Sequence, residues 1–208
     1  MIKIGRGFYY NVYDLSNGRV LKTPRSRFGQ ISQLVIWYIF KPKILITELK
    51  RAPYKRKAIE NEWEKTQRVI ENIPHLIGHP TVISAYTYEQ DKVIPLGNLY
   101  HILSEEQIKE KIDQYTDLTF EAWKYGVADT VFNFFLNIGM DKNGQLIFLD
   151  LNEFTQRKDE ILFELKSLRF FRSPSFIRLP NGELKEYIRN KFEESFTKDN
   201  LDKYWNRK

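Results

Sequence analysis

The first part of the chain alternates apolar and polar residues with a period of two. The segments KIGRGFYYNVYDL and RVLKTP flank SNG, which is a turn signal. Alternation on both sides of a turn is typical of paired strands. The pattern therefore predicts two or three antiparallel strands over residues 2–22.

A helical period follows after a basic connector. In KAIENEWEKTQRVIEN, the residues Ile59, Trp63, Thr66 and Ile70 recur every three or four positions. Residues at this spacing share one face of a helix. The pattern predicts a helix over residues 57–72, which a nearby proline ends.

Strand and helix signals alternate in the second half. TVISAYTYE and KVIPLG predict two strands around the turn EQD. Ser104 and Gln107 form a capping-box pattern at the start of a helix over residues 104–124. NIGMDKNGQLIFLD predicts a β-hairpin around Asn-Gly, and helical patterns follow from residue 158. The order predicts an α+β chain with a sheet-rich N-terminal part and a helical C-terminal part.

The most apolar window is ISQLVIWYIFKPKILI, residues 31–46. Lys41, Pro42 and Lys43 interrupt it, so its unbroken part is shorter than the roughly 20 residues of a membrane-spanning helix. The window fits a buried helix or strand pair, and it also fits a surface-anchoring segment. The sequence predicts no transmembrane segment.

Composition narrows the classes of function. The chain of 208 residues has no cysteine, which excludes disulfides, thiolate zinc sites and a cysteine nucleophile. This is compatible with a cytoplasmic location, which we predict because the N-terminus also lacks the apolar core of a signal peptide. The net charge of +6 favours anionic partners such as nucleotides, phosphorylated substrates or nucleic acid.

The predicted hairpin carries two oxygen-bearing side chains at its ends. Asn137 begins one strand and Asp150 ends the other, 13 residues later. Because the turn brings the strand ends together, both can face one metal ion. Mg²⁺ in phosphoryl transfer is held by such hard oxygen ligands. The alternative is an ordinary hairpin whose Asn and Asp cap its ends.

The N-terminal strands add candidates for nucleotide binding. Gly5 and Gly7 lie in GRGFYYNVY, and Val12 stands where a strand resumes. Glycines let a flap approach phosphates without a clash of Cβ. Lys22, in VLK on the next strand, can pair with nucleotide phosphates and with a glutamate on the following helix.

Three glutamates on the predicted helix are candidates for that partner. Glu62 flanks the apolar stripe, whereas Glu60 and Glu64 turn away from it. A glutamate that faces a sheet needs a partner, since an unpaired buried charge is costly. We therefore favour Glu62, with Glu60 and Glu64 as the other candidates.

These motifs, and the order in which they follow one another along the chain, resemble those of the protein-kinase-like superfamily, which includes aminoglycoside phosphotransferases. GRGFYYNVY resembles the glycine-rich loop, VLK the strand lysine, ENEWE the helix glutamate, and NIGMDKNGQLIFLD the metal asparagine through the metal aspartate. The resemblance covers roughly residues 4–155. It implies a bilobal fold with an N-lobe over residues 1–98, a reduced helical C-lobe over residues 99–208, and ATP and Mg²⁺ as cofactors.

The catalytic loop departs from the family's pattern. The family's catalytic aspartate would fall on Phe132, and no His-Arg-Asp motif is present. The nearest upstream carboxylate is Asp129, eight residues before Asn137. A loop expanded by three residues would place Asp129 beside the γ-phosphate. In the alternative alignment, Asn133 is the metal ligand in place of Asn137.

The segment after the hairpin departs as well. DLNE replaces the family's Asp-Phe-Gly, so Glu153 would add a second carboxylate near the metal. Only 58 residues follow Asp150, too few for the large substrate-binding lobe of typical protein kinases. The resemblance gives no role to residues 157–185 beyond a substrate-side position.

Three functions are compatible with these residues. The first is an ATP- and Mg²⁺-dependent phosphotransferase that moves a γ-phosphoryl group to a hydroxyl acceptor, either a small molecule or a protein. The second is a pseudokinase-type module that binds nucleotide without turnover, which the altered motifs and short tail favour. The third is a basic α+β domain that binds nucleic acid or a membrane surface, and we do not favour nucleic acid.

Overall fold

The chain combines a sheet near its N-terminus with helices after it. A computed structural model describes residues 1–6, 10–26, 35 and 63–206. The chain divides into two compact units, one from Met1–Gln67 and Pro80–Lys92, the other from Arg68–His79 and Val93–Lys208. The mixed α/β composition confirms the coarse fold class predicted above. Within the described ranges, no helix has the length and apolar character needed to cross a membrane.

The first unit contains a five-stranded antiparallel sheet. Its strands are β1 (Ile2–Arg6), β2 (Tyr10–Asp14), β3 (Arg19–Pro24), β4 (Thr81–Ser84) and β5 (Thr87–Asp91). Their order in the sheet is β1-β2-β3-β5-β4. The turn between β2 and β3 follows the SNG signal, because Asn17 accepts the N–H of Arg19 and Gly18 takes a positive φ of 81°. The predicted N-terminal strands are confirmed.

The prediction for TVISAYTYE and EQD was wrong. The chain turns earlier, at Tyr86, which takes a positive φ of 64°. The EQD stretch continues β5 and pairs with β3. Cross-strand charge pairing explains the difference, because the Arg19 guanidinium lies 2.9 Å from Asp91 and 3.4 Å from Glu89. These acidic residues are satisfied in a strand and do not form a turn.

The helices lie mostly in the second unit. They are α1 (63–72), α2 (Leu96–Leu99), α3 (Glu105–Lys124), α4 (Phe134–Asn137), α5 (Lys158–Lys166), α6 (Pro174–Arg178), α7 (Glu183–Ser195) and α8 (Lys198–Tyr204). The described part of α1 agrees with the predicted helix. The segment KVIPLG is a two-residue strand followed by α2, so its predicted strand is mostly a helix.

Five short strands complete the second unit. They are β6 (Ile94–Pro95), β7 (Ala128–Asp129), β8 (Ile138–Met140), β9 (Leu146–Phe148) and β10 (Phe154–Thr155). β6, β8 and β9 form one antiparallel sheet, and β7 pairs with β10. The second pairing joins the segment before the predicted catalytic loop to the segment after the hairpin.

The core of the second unit forms around α3. This helix packs against α7 and α8. Tyr115 and Trp123 on α3 are fully buried, and their rings contact Phe192 and Phe196 with centroid distances of 5.8 and 6.1 Å. The start of α3 has the predicted capping box, in which the Ser104 hydroxyl accepts the N–H of Gln107 and the Gln107 side chain accepts the N–H of Ser104.

Ser104→Ala is expected to lower the free energy of unfolding by about 1 kcal/mol, because one N–H at the helix start loses its acceptor. Urea denaturation followed by circular dichroism measures the change. Asp117→Ala, on the exposed side of the same helix, is the control and should shift stability by less than about 0.5 kcal/mol. Equal effects of the two substitutions would contradict the assigned role of Ser104.

Candidate functional site

The candidate nucleotide-binding residues of the first unit fall in one row across its sheet. Gly5 on β1 pairs with Val12 on β2, and Val12 pairs with Lys22 on β3. Lys22 in turn pairs with Tyr88 on β5. Directly opposed residues in a sheet project to the same face. The register therefore brings together three residues that the sequence placed far apart.

Lys22 is buried, with 8% of its surface exposed. Its ammonium lies 5.5 Å from the centre of the Tyr88 ring, and that ring packs edge-on against Tyr10 at 5.5 Å. Lysine is almost never fully buried without a partner group. The burial argues against a solvated strand lysine and is compatible with a functional role.

Some candidates of the first unit cannot be placed. Gly7, Glu60 and Glu62 lie outside the described residues, as does the apolar window 31–46 except for residue 35. Glu64 is described and is exposed on α1. The pairing of Lys22 with Glu62 therefore stays a prediction.

The predicted hairpin forms in the second unit, but its strands are shorter than predicted. β8 begins after Asn137, which ends a helix, and β9 ends before Asp150, which begins a 3-10 turn. β8 and β9 pair antiparallel, with Ile138 opposite Phe148. The turn is fixed by Asp141, whose carboxylate accepts the N–H groups of Asn143 and Gln145 at 2.8 Å each. Gly144 has a positive φ of 81°, which explains the Asn-Gly signal.

The hairpin brings Asn137 close to Asp150 along the backbone. Asn137 is the last residue of α4, and its carbonyl accepts the N–H of Leu149 at 2.7 Å. Leu149 directly precedes Asp150. Both Asn137 and Asp150 are half-buried. The backbone therefore places both residues at the open end of the same hairpin.

Asp150 begins a short 3-10 turn, Leu151–Glu153. Its Oδ1 accepts the backbone N–H of Asn152 at 3.2 Å and the side-chain amide of Asn152 at 3.3 Å. The backbone carbonyl of Glu153 accepts both the N–H and the hydroxyl of Thr130, at 2.9 and 2.8 Å. The segment after the hairpin is therefore bonded to the loop that follows β7.

Asp129 occupies the last position of β7. It lies opposite Phe154 of β10, four residues beyond Asp150. This pairing and the bonds of Thr130 hold Asp129 near the carboxylate of Asp150. The two carboxylates are close enough to interact, because the negative charge of Asp150 raises the pKa of Asp129.

The carboxyl group of Asp129 is buried, with 4% of the residue exposed. Oδ1 accepts the N–H of Val131 at 2.9 Å, whereas Oδ2 has no hydrogen-bond partner within the described part of the chain. Burial is the main reason that the pKa of Asp129 rises to about 7, and the charge of Asp150 adds to the rise. The N–H groups of Val131 and Phe132 and the charge of Arg169 lower the pKa, but less strongly.

Phe132 and Asn133, in the loop after β7, are both held by contacts inside the protein. Phe132 is fully buried, has a positive φ of 54°, and packs its ring 5.2 Å from Phe196. Asn133 is also buried, and its Oδ1 accepts the hydroxyl of Ser175 at 2.5 Å. This bond engages the oxygen that Asn133 would offer to a metal. Asn137 is therefore the better placed of the two alternatives.

The sequence did not predict Arg169 and Ser175. Arg169 follows Leu168, whose φ is 50°, and begins the 3-10 turn Arg169–Arg172. Its charge favours the ionised form of Asp129. Ser175 binds Asn133 and also accepts the N–H of Phe135 at 2.9 Å. Arg169 lies in a stretch for which the sequence predicted only a helix, and Ser175 lies in residues 157–185, to which the resemblance gave only a substrate-side position. The one local signal was an arginine beside two phenylalanines.

The open end of the hairpin carries a carboxylate and an amide, which are oxygen ligands of the kind that Mg²⁺ accepts. Among the described residues, no three histidine or acidic side chains form a cluster that could hold a metal ion. Mg²⁺ is commonly bound through one or two carboxylates together with substrate phosphates. Asp150 carries a carboxylate and Asn137 a side-chain amide oxygen, so these two residues could hold Mg²⁺ in this way. A cation beside Asp150 would also offset its repulsion of a charged Asp129.

No family model and no curated protein matches this sequence. Any assignment of function therefore depends on the residues and geometry described above.

Proposed function

We propose that the protein is a kinase-like phosphotransferase, which transfers the γ-phosphoryl group of ATP to the hydroxyl of an acceptor. The observation that carries the proposal is the carboxyl group of Asp129. It is buried, one of its oxygens has no partner in the described part of the chain, and its pKa of about 7 suits a general base at neutral pH. A neighbouring carboxylate and an amide at the end of one hairpin complete the set that phosphoryl transfer needs.

Asp129 is the proposed base. The acceptor oxygen forms a bond to the γ-phosphorus, and the bond from that phosphorus to the β–γ bridging oxygen breaks to release ADP. The proton of the acceptor hydroxyl moves to Oδ2 of Asp129. Arg169 helps to keep Asp129 ionised before the step, because its positive charge lowers the pKa of that carboxyl.

The remaining candidate residues hold the nucleotide and the metal. Asn137 and Asp150 would bind Mg²⁺, which when present neutralises charge on the phosphates. Lys22 would bind a phosphate, since a buried ammonium is a strong local positive charge. Gly5 and Val12 lie in the same row of the sheet and would contact the nucleotide. The kinase-like bilobal fold is part of this proposal.

Access to Asp129 sets a condition on the mechanism. Its Oδ2 is shielded from water, so an acceptor hydroxyl reaches it only if a side chain or the loop after β7 shifts on binding. Catalytic hydrogen bonds often tighten only in the substrate complex. The same shielding keeps bulk water away from the proton-accepting oxygen, which would limit wasteful ATP hydrolysis.

ATP with Mg²⁺ is expected to raise the melting temperature of the protein. At a ligand concentration a hundredfold above the dissociation constant, the folded state gains about 2.7 kcal/mol. Scanning fluorimetry with ATP and Mg²⁺, and with ATP and EDTA, separates the metal-dependent part. Asp150→Asn should remove that part, because it takes a charge from the metal site.

Asp199→Asn is the matched control, since it makes the same change at an exposed position of α8. It should leave the ATP-dependent shift unaltered. The absence of a shift at millimolar ATP with Mg²⁺ would exclude the phosphotransferase and leave the basic binding domain. A shift without phosphoryl transfer to any acceptor or to water would identify a pseudokinase-type module.

A further inference from the structure

A cavity of about 250 Å³ lies beside α4 in the second unit. Its volume is slightly smaller than that of typical small-molecule pockets, which begin at roughly 300 Å³, so it suits only a small ligand. The lining residues come from α2, α4, α6 and the segments next to α2 and α6; they are Gly97, Tyr100, His101, Phe135, Leu136, Pro174, Ser175, Arg178 and Leu179. The absence of a side chain at Gly97 lets α2 approach α4, because a Cβ there would lie 2.9 Å from the carbonyl oxygen of Phe135.

The lining combines apolar walls with two basic side chains. Tyr100 and Phe135 pack edge-on at 4.9 Å and form an aromatic wall. Arg178 and His101 are exposed, and no described residue forms a hydrogen bond or ion pair with either of them. None of the described residues that line the cavity is acidic. A guanidinium that has no ion-pair partner in the described part of the chain, next to an aromatic wall, is suited to a carboxylate or phosphate on an apolar body.

The cavity shares structural elements with the loop of Asp129. Phe135 and Leu136, which line the cavity, belong to α4, and α4 begins five residues after Asp129. Ser175, which also lines it, holds this loop by bonding Asn133 and Phe135. A molecule in the cavity therefore contacts the helix that continues directly from the proposed catalytic loop.

We propose that this cavity is the acceptor site, and that it binds a small acid with an aromatic or branched apolar body. Arg178 and His101 bind the acidic group, while Tyr100, Phe135 and Leu136 contact the apolar body. The acceptor hydroxyl is carried at the other end of the molecule. The assignment as acceptor site rests on the proposed phosphotransferase function, but the binding itself does not.

The test uses 4-(hydroxymethyl)benzoate as the probe and 4-(hydroxymethyl)benzamide as its neutral counterpart. Saturation-transfer NMR without nucleotide measures the dissociation constants. The acid should bind the wild type in the millimolar range or tighter, and at least about 10-fold tighter than the amide, because charge-assisted hydrogen bonds contribute most of the recognition. Phenyl phosphate in a second arm shows whether the site prefers a phosphate or a carboxylate.

Two variants locate the binding. Arg178→Gln should weaken binding of the acid about 10-fold or more. Leu136→Glu should weaken it similarly by placing a negative charge in the lining, and Leu136 is 52% exposed, so the fold tolerates the change. Arg172→Gln is the matched control, because this exposed arginine precedes α6 and does not line the cavity. It should leave the dissociation constant unchanged.

The outcomes separate this proposal from the proposed function. Equal binding of acid and amide, no binding of either anionic probe, or equal effects of Arg178→Gln and Arg172→Gln would overturn the acceptor site. An ATP-dependent thermal shift without binding of the probes rejects the cavity alone. Binding of the probes without any ATP-dependent shift rejects the acceptor role along with the phosphotransferase. Transfer of phosphate from ATP to the probe hydroxyl, lost in Arg178→Gln, supports both.

Discussion

Asp129→Asn is expected to lower phosphoryl transfer, or slow ATP hydrolysis where no acceptor is known, by about 10²–10⁴-fold. The amide cannot take the acceptor proton, whereas the metal and phosphate contacts are assigned to other residues. Nucleotide affinity should therefore change little, so the loss falls on turnover. Release of labelled phosphate from γ-labelled ATP gives the rate, and titration calorimetry gives the affinity.

The control for this variant makes the same chemical change elsewhere. Asp117→Asn alters an exposed carboxylate on α3 and should keep full activity. The wild-type kcat/KM, which reports the ionisation of the free enzyme, should rise with pH and level off above pH about 7, because the base acts only when ionised and its pKa is about 7. Full turnover of Asp129→Asn together with inactivity of Asp150→Asn would show that Asp129 is not the base.

Local signals in the sequence predicted the parts of the fold that depend on neighbours in the chain. The capping box involves two residues only three positions apart, Ser104 and Gln107, and it forms as predicted. The Asn-Gly turn needs a positive φ at Gly144, which glycine permits at little cost. Asn137 and Asp150 both lie at the open end of this hairpin, because the two strands of a hairpin are joined by a short turn.

The structural features that the sequence did not predict depend on contacts between residues far apart in the chain. The turn at Tyr86 depends on the pairing of β5 with β3, where Arg19 meets Asp91. The burial of Asp129 depends on the pairing of β7 with β10, in which Asp129 lies opposite Phe154, 25 positions later in the sequence. The positive charge of Arg169, still farther along the chain, also acts on this carboxyl. No local pattern reports contacts of this kind, so the raised pKa of Asp129 could not be predicted.

The same buried carboxyl should make the stability of the protein fall as pH rises from about 4 to about 7. An unfolded aspartate loses its proton near pH 3.8, but Asp129 in the folded protein keeps it until pH about 7. Below both values the group is protonated in both states and has no effect. Between them the folded state binds more protons, so rising pH favours unfolding. A difference of about three pKa units corresponds to about 4 kcal/mol.

Replacing this group isolates its contribution. Asp129→Asn cannot titrate, so its free energy of unfolding should rise relative to the wild type by about 4 kcal/mol between pH 4 and pH 7, and stay level above that. Urea denaturation across this range measures the difference. Asp159→Asn is the control, because Arg157 lowers the pKa of this exposed aspartate, so any effect has the opposite sign and appears only below pH about 4. A difference between Asp129→Asn and wild type that does not vary with pH would mean that Asp129 ionises normally in the folded protein. It would also remove the main physical reason for assigning Asp129 as the base, because its raised pKa is what places its titration near neutral pH.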